Sequence, residues 1–440
     1  MTPLLEAALV ARCTTYRIEV QQRYRYWPAN SMTVLSMTAD AQISPFQPHW
    51  DLFPAFYVAN RAPASFLSKD IDGDLTKPAW DAAPWSHAFG DIQGDNAPVD
   101  ALDPARTMFK ALWDDEYLYI GAILHPHSAF NTPAHFTERN SPIYQKDSDF
   151  EVFVDPTGSN HNYKELEVNA IHTVWNLMLD KPYVNDGREH SARVAVNASD
   201  PLYYEVHQQT TATKLLKGKV NGDTGALWSV EMALAFADLN ATLPKGGGRP
   251  IGNNDNTAPT KVGSHVRINF SRVELQGVVN WTWQPQRIWD AGRQRYTGQV
   301  NMHLPESWGY LVFGNDAAVG DSASPEPPRQ PIDIDPTWPV RVAVMHVYYA
   351  EQQYRELNGR YTLSIADLVP YMDTTYINPF RMQIVRVWVK DGFRVVAADQ
   401  IAGIVVTVEQ DRFLSVMTTA EAESQGVMEE GGTAIDVREQ

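Results

Sequence analysis

The sequence predicts an all-β fold, an antiparallel β-sandwich of immunoglobulin-like or jelly-roll type, followed by a small α+β C-terminal unit. Three observations predict it. From Phe56 to Phe313 the chain is a succession of short β-type runs parted by Gly, Pro, Asn and Asp, the pattern of a sandwich or barrel. Within those runs apolar and polar residues alternate with period two, so each strand has one apolar face. Beyond a Pro- and Asp-rich stretch the period lengthens to that of an amphipathic helix.

At 440 residues the chain exceeds one ordinary domain, and two folded units with connectors are expected. Residues 1–55 read as an ill-defined leader, 56–315 as the sandwich, 316–337 as a Pro-rich linker, 338–418 as a helix-plus-hairpin unit and 419–440 as an acidic disordered tail. The sandwich strands begin with RTMFKALW (106–113) and EYLYIGAIL (116–124), joined by an Asp114-Asp115 turn. They continue through DFEVFVD (149–155), ELEVNAI (165–171), TVWNLML (173–179), YYEVHQQTTAT (203–213), LWSVEMAL (227–234), HVRINFSRV (265–273) and WGYLVF (308–313). KGGGRPIGNNDNTAPT (245–260) has too few apolar residues to pack and reads as a loop insertion. In VRVAVMHVYYAEQQYREL (340–357), Val340, Val344, Val347, Tyr348, Tyr354 and Leu357 recur at helical spacing, and Asn358-Gly359 supplies the stop. Ser364 is placed to N-cap a short second helix. The Asp391-Gly392 pair predicts a type I′ hairpin turn.

Composition excludes several function classes. The formal net charge is -17, with Lys and Arg scattered through the chain, whereas phosphate-backbone binding needs clustered cations. Nucleic acid is therefore not an expected partner, nor is an anionic membrane or anionic polysaccharide; a neutral glycan suits the charge better. Cys13 is the only cysteine, so no intrachain disulfide and no thiolate metal cluster can form. No run reaches the length of a membrane span. The opening MTPLLEAALVARC lacks a basic n-region and Glu6 breaks its apolar stretch, which makes it a poor signal peptide and counts against secretion. Thirteen Trp and nineteen Tyr suit either an aromatic core or a surface that stacks on sugar rings, since these side chains pair a flat apolar face with a polar tip.

Candidate site residues follow from the alternation. Phe150, Val152 and Val154 share one face of their strand, as do Leu166, Val168 and Ala170, and Val266, Ile268 and Phe270. The opposite faces carry Glu151, Glu167, Asn169, Arg267 and Asn269. If these strands share a sheet, the five converge into a mixture of acceptors and donors that can bracket vicinal hydroxyls. The alternative is a solvated sheet face crossed by ion pairs of little energetic weight.

The runs IDGDLTKPAWDAAPW (71–85), KALWDDEYLYIGA (110–122), DSDFEVFVDPTGSNHNYKELEVNAIHTVWNLMLDKPY (147–183), WSVEMAL (228–234), RINFSRV (267–273) and TWQP (282–285) together resemble the family 9-like carbohydrate-binding modules, over roughly residues 70 to 315. The resemblance implies a β-sandwich that grips the reducing end of a glycan between aromatic rings, an association with polysaccharide breakdown, an extracellular setting and structural calcium. By position it implies sugar contacts at Glu151, Glu167, Asn169, Arg267 and Asn269. Sugar-binding members carry a Trp just before the EVFVD strand, where this chain has Ile143-Tyr144, so Tyr144 is the expected substitute. The second stacking ring falls to Trp283 or Trp289, in a loop (286–303) of different length, and Glu167 stands where the best-known binders have Arg. Trp175, beside the KPY turn, reads either as a stacking partner or as core. Asp72 and Asp74 have the character of a calcium loop but lack its remaining positions, and a plain Asp-Gly turn is the other reading. No cofactor is required.

Two other functions are open to the same residues. A glycoside hydrolase could use Glu151 and Glu167 as its carboxylate pair, although an adjacent Arg267 would lower their pKa values rather than raise them. A haem or redox sandwich would need a Met/His pair, and His172 and Met178 fall on a mixed run.

Overall fold

A computed structural model describes residues 46–241, 262–315, 330–387 and 392–427, all within one unit, Pro45–Gln440. The loop 245–260, most of the linker, the leader before residue 46, Asp391 and the tail beyond residue 427 lie outside the described residues.

The strands of the first part are β1 (Phe56–Arg61), β2 (Gly90–Asp91), β3 (Thr107–Trp113), β4 (Tyr117–Leu124), β5 (Asp149–Asp155), β6 (Tyr163–Asn169), β7 (Val174–Leu179) and β8 (Glu189–His190). They continue as β9 (Gln209–Lys217), β10 (Leu227–Ala235), β11 (His265–Glu274), β12 (Val279–Thr282), β13 (Arg287–Asp290), β14 (Arg295–Gly298) and β15 (Gly309–Phe313). The Asp114 turn forms as expected, its Oδ1 accepting from the Glu116 and Tyr117 amides.

The pure antiparallel sandwich does not form. Eleven strands run in the order β8-β7-β6-β5-β11-β15-β1-β3-β4-β10-β9, with β12 and β2 off this path, as one 13-stranded sheet folded over on itself. The join is β1, which lies parallel to both neighbours. Its first residues pair with β15 (Phe56 opposite Tyr310 through Ala59 opposite Phe313), and Asn60 and Arg61 pair with Leu112 and Trp113 of β3. Gly314 sits at this crossing: its amide donates to the Ala59 carbonyl, and a Cβ there would stand 2.8 Å from Val58 Cγ1. A single strand shared between two limbs gives a half-barrel of mixed strand order, an arrangement that alternation alone does not encode because period two is blind to strand direction.

The apolar faces meet as predicted. Phe150, Val152, Val154, Leu166, Val168, Val266, Ile268 and Phe270 from one limb pack on Phe109, Ile120, Ala122, Trp228, Val230 and Met232 from the other. Phe109 and Phe270 stack across the interior with ring centroids 4.0 Å apart.

The C-terminal part is a helix, Trp338–Asn358, on an antiparallel meander of β16 (Arg381–Val387), β17 (Gly392–Asp399), β18 (Ile404–Glu409) and β19 (Leu414–Thr418). Val340, Val344, Val347 and Tyr348 are buried against Val395, Ala397, Val406 and Val408. Leu357, expected on the same face, lies beyond the packed turns and is exposed. Gly359 ends the helix at φ +72°, and Ser364 accepts from the Asp367 amide at the head of Ile365–Leu368.

Two described segments depart from the expected leader and tail. Residues 46–53 are anchored, with Phe46 stacked on Phe380 and the Trp338 indole donating to the His49 carbonyl. Thr419–Ser424 is a helix with a Thr418/Glu421 capping box and a buried Ala422.

Candidate functional site

The face of β5, β6, β7 and β11 that alternation assigns to solvent is covered. Ile92, Met302 and Trp308 pack there with Phe153, Tyr163, Trp175, Leu177 and Leu179 as a second apolar cluster. Glu151, Glu167, Asn169, Arg267 and Asn269 are all at least 96% buried. The open polar face is therefore corrected to a buried polar layer under the loops that carry Ile92 and Met302.

Within it the five residues do not converge on one point. In the β5–β11 register Arg267 faces Asp155 and Asn269 faces Phe153, while Glu151 faces Ser271. Arg267 thus lies four residues along the strand from the position opposite Glu151, about 13 Å away at ~3.3 Å per residue. Its guanidinium donates to the carbonyls of Glu306 (3.0 Å) and Trp308 and lies over the Tyr310 ring at 4.4 Å. Asn269 Nδ2 donates to the Gln284 carbonyl at 2.8 Å, and its Oδ1 accepts from the Gln284 amide at 3.0 Å, pinning the TWQP turn. Asn169 donates to Asp147 Oδ2 (2.7 Å) and the Phe136 carbonyl, and its Oδ1 accepts from the Thr173 amide. The two asparagine amides are committed to the protein through both their oxygens and their nitrogens, and Arg267 Nη2 is committed to the two carbonyls.

The other end of the layer is different. Glu151 and Glu167 are directly opposed across β5 and β6, and Asp149 faces Asn169 beside them. Burial raises the Glu151 carboxyl to about 7, against a hydrogen bond from Ser271 that lowers it. Burial pushes Glu167 well above the carboxylate range, followed by the charges of Glu151, Asp149 and Glu165. Asp149 is raised for the same reasons, burial first and then Glu151 and Glu274. The expectation that Arg267 lowers these values fails because Arg267 is not beside them.

Above this carboxylate group lies the aromatic surface. Trp175 pairs with Glu167 in the β6–β7 register, and Tyr144, in the turn Ile143–Gln145, stacks on Trp175 at 5.8 Å and 17°. The Arg193 guanidinium sits over Trp175 at 4.8 Å and pairs with Glu189. Tyr144 is 37% exposed and Tyr183 44% exposed. Burial raises the Tyr183 hydroxyl, as do the charges of Glu165 and Glu189, so it stays a neutral donor at ordinary pH. Tyr183, Arg193 and Asp149 were not singled out by alternation; the KPY turn was the one signal for Tyr183.

The remaining candidates serve other ends. Trp283 is core, edge-on to Phe109 at 5.2 Å. Trp289 is buried in the C-terminal core, 4.3 Å from His346, with its indole donating to the Tyr371 carbonyl. Neither ring is available for stacking. Asp72 accepts from Lys77 at 2.5 Å and Asp74 from Lys214 at 2.8 Å, and Asp74 Oδ1 also takes the Thr76 amide and hydroxyl. A turn already neutralised by two ammonium groups does not suit calcium, which seeks several unneutralised oxygens from one loop. His172, in the β6–β7 turn, bonds Thr211 Oγ1 at 2.8 Å, while Met178 is buried in the main core, so they form no axial pair.

The chain matches the model of the family described as carbohydrate family 9 binding domain-like over residues 71–293, just over half its length. No curated protein matches it. Similar solved structures include a proposed carbohydrate-binding protein from Bacteroides uniformis, at 14% identity and a TM-score of 0.40, over 59% of this chain and 99% of that one. A family 9 carbohydrate-binding module from Caldicellulosiruptor kristjanssonii appears in complex with cellotriose (16% identity, TM-score 0.33, 62% of this chain and 100% of that one). It also appears with glucose (16%, 0.32, 61% and 100%). These structural similarities assign no residue a role. No helix among the described residues is long and apolar enough to cross a membrane.

Proposed function

The chain belongs to the carbohydrate family 9 binding domain-like family, and on that premise we propose that it binds a neutral oligo- or polysaccharide without cleaving it. The supporting observation is the exposed Tyr144 ring stacked on Trp175, with Tyr183 and the Arg193–Glu189 pair around it. A sugar ring stacks on such a face, while the phenol and guanidinium donors and the Glu189 acceptors orient its hydroxyls. The reducing end is the proposed point of grip, and breakdown of polysaccharide the proposed setting, as the family resemblance implies.

Hydrolysis is disfavoured by access. Glu151 and Glu167 are 4% and 2% exposed, and a glycosidic oxygen must reach the acid that protonates it. Burial has raised Glu151 into the range of a general acid, but in a place the substrate does not enter.

The test is calorimetric titration of the full chain with glucose, cellobiose and xylobiose, with melting temperature measured alongside. One stacking surface with hydroxyl contacts worth about 0.5–1.5 kcal/mol each predicts millimolar to high-micromolar affinity, about -4 to -6 kcal/mol. Tyr144→Ala and Tyr183→Ala should each weaken binding without lowering the melting temperature much. Equal affinity in all three proteins places the site elsewhere. Release of reducing ends from a polysaccharide, lost in Glu151→Gln, would favour the hydrolase.

A further inference from the structure

Beneath the aromatic surface, Asp149, Glu151 and Glu167 each bring one carboxylate oxygen within 4.8 Å of the others. A second observation sets this group apart from a surface acidic patch. Asp149 Oδ2 and Glu167 Oε2 are buried and have no hydrogen-bond partner, in residues 0% and 2% exposed. A buried carboxylate oxygen without a donor is costly. The neighbours make it worse, since Glu165, Glu274 and Asp147 add negative charge around the three. The nearby Arg272 is committed to Glu274 at 2.7 Å.

We propose that Asp149, Glu151 and Glu167 form a binding site for a calcium-sized divalent cation. A hard cation takes oxygen ligands, and calcium holds them at about 2.3–2.6 Å. Two ligands on opposite sides of such an ion are then about 4.6–5.2 Å apart, which accommodates a 4.8 Å group. Magnesium, at about 2.0–2.1 Å, demands a tighter and more regular shell. The three residues stand on adjacent strands with fixed register, and Asp149 Oδ1 is held by the Val273 amide at 3.2 Å, so two of the ligands are placed by β5 itself. The site is distinct from Asp72 and Asp74, whose oxygens are taken by lysines. It does not depend on sugar binding, and it is measured in the absence of sugar, so the two readings fail separately.

The experiment uses the full chain stripped with chelator and dialysed into metal-free buffer. Terbium(III) is titrated with excitation through tryptophan, since Trp175 lies opposite Glu167, and is then displaced with Ca²⁺, Mn²⁺ or Mg²⁺ while the melting temperature is followed. Expected are saturable sensitised emission, displacement by Ca²⁺ ahead of Mg²⁺ and a melting temperature several degrees higher with Ca²⁺. Asp149→Asn and Glu167→Gln, both close in shape to the native residues, should each weaken binding roughly tenfold or more. Trp175→Phe should dim the emission while keeping the Ca²⁺ stabilisation, and Asp72→Asn should change neither. The proposal is overturned if the wild-type chain shows no saturable signal and no thermal shift at millimolar Ca²⁺, or if Asp149→Asn and Glu167→Gln bind as the wild type does.

Discussion

One buried polar layer on β5, β6 and β11 has two ends of opposite character. At the Arg267 end every charge has a partner: Arg267 is held by carbonyls, and Asp155 takes the amides of Gly158 and Asn160 at 2.9 and 2.7 Å. Asp335 meets Arg341 at 3.1 Å. At the Glu151 end three carboxylates crowd together with two oxygens unpartnered. Both ends come from the same alternation and are equally buried. Residue type and burial therefore do not separate the two ends; the pairing of their charges does. The satisfied end locks the sandwich to the helix through Tyr310 and Trp338, both beneath the Arg267 guanidinium at 4.4 and 5.5 Å. The unsatisfied end lies under the most exposed aromatics of the layer.

The largest test of this difference is Arg267→Ala. Removing the guanidinium strips the Glu306 and Trp308 carbonyls of a donor and leaves a gap against Tyr310 and Trp338. The expected cost is about 3–5 kcal/mol, read as a melting temperature lower by roughly 10 °C. Sugar affinity, measured well below the new transition, should be retained. A stable variant that has lost sugar binding would restore Arg267 to the site and erase the contrast.

Acid should then weaken the satisfied end. His265, edge-on to Tyr310 at 5.0 Å, is lowered to about 4 by burial; Asp335 opposes that shift, while Arg341 and Arg267 add to it. Because the folded-state value is below the ordinary ~6.5, the unfolded chain takes up the proton first as pH falls. Stability is complete above about 6.5 and is lost between there and 4. His265 is only half-buried, so its share is on the order of 1–2 kcal/mol. His303 and His346, lowered to about 4 and about 3 by burial, contribute over an overlapping window. His265→Gln should flatten the slope of denaturant midpoint against pH by that share. An unchanged slope would mean that His265 is not held neutral by the fold.

Much of the architecture was legible. The Phe150/Val152/Val154 face is inside, the Asp114 turn joins its hairpin, and the helix ends at Gly359, because periodicity and turn chemistry are local. What was not legible depended on what covers what. Alternation marked Glu151, Arg267 and Asn269 as outward, and they are, but it carries no trace of a second layer above them. The parallel pairing of β1 with both limbs was invisible for a related reason, since it rests on a chain crossing and not on any pattern within the strand. Trp283 and Trp289 were right as large aromatics and wrong as surface ones, because a Trp reads alike in a core and on a binding face. Asp149 opens the same polar face at the first position of its strand, where nothing in the alternation sets it apart from an ordinary strand-end Asp.

The smallest effect is the sharpest test, because its sign differs between the two ends. Glu167→Gln keeps the shape of the side chain and removes an acid whose charged form is disfavoured by burial and by the neighbouring carboxylates, against one hydrogen bond from the Tyr144 backbone. In chelator at neutral pH this should stabilise the protein by about 1 kcal/mol, since the buried acid must hold a proton that the unfolded chain gives up, a cost the amide does not carry. The gain is small because the amide must itself find partners in a layer where Glu165 and Glu151 stand ready to accept from it. With calcium present the order should reverse, the wild type gaining from the bound ion and the variant losing a ligand. Paired denaturation curves of both proteins, with and without Ca²⁺, give all four values under one set of conditions. A variant less stable than the wild type in chelator would show that the hydrogen bond Glu167 accepts from the Tyr144 backbone outweighs the crowding of the acids. The two ends of the layer would then be alike, and both would be structural.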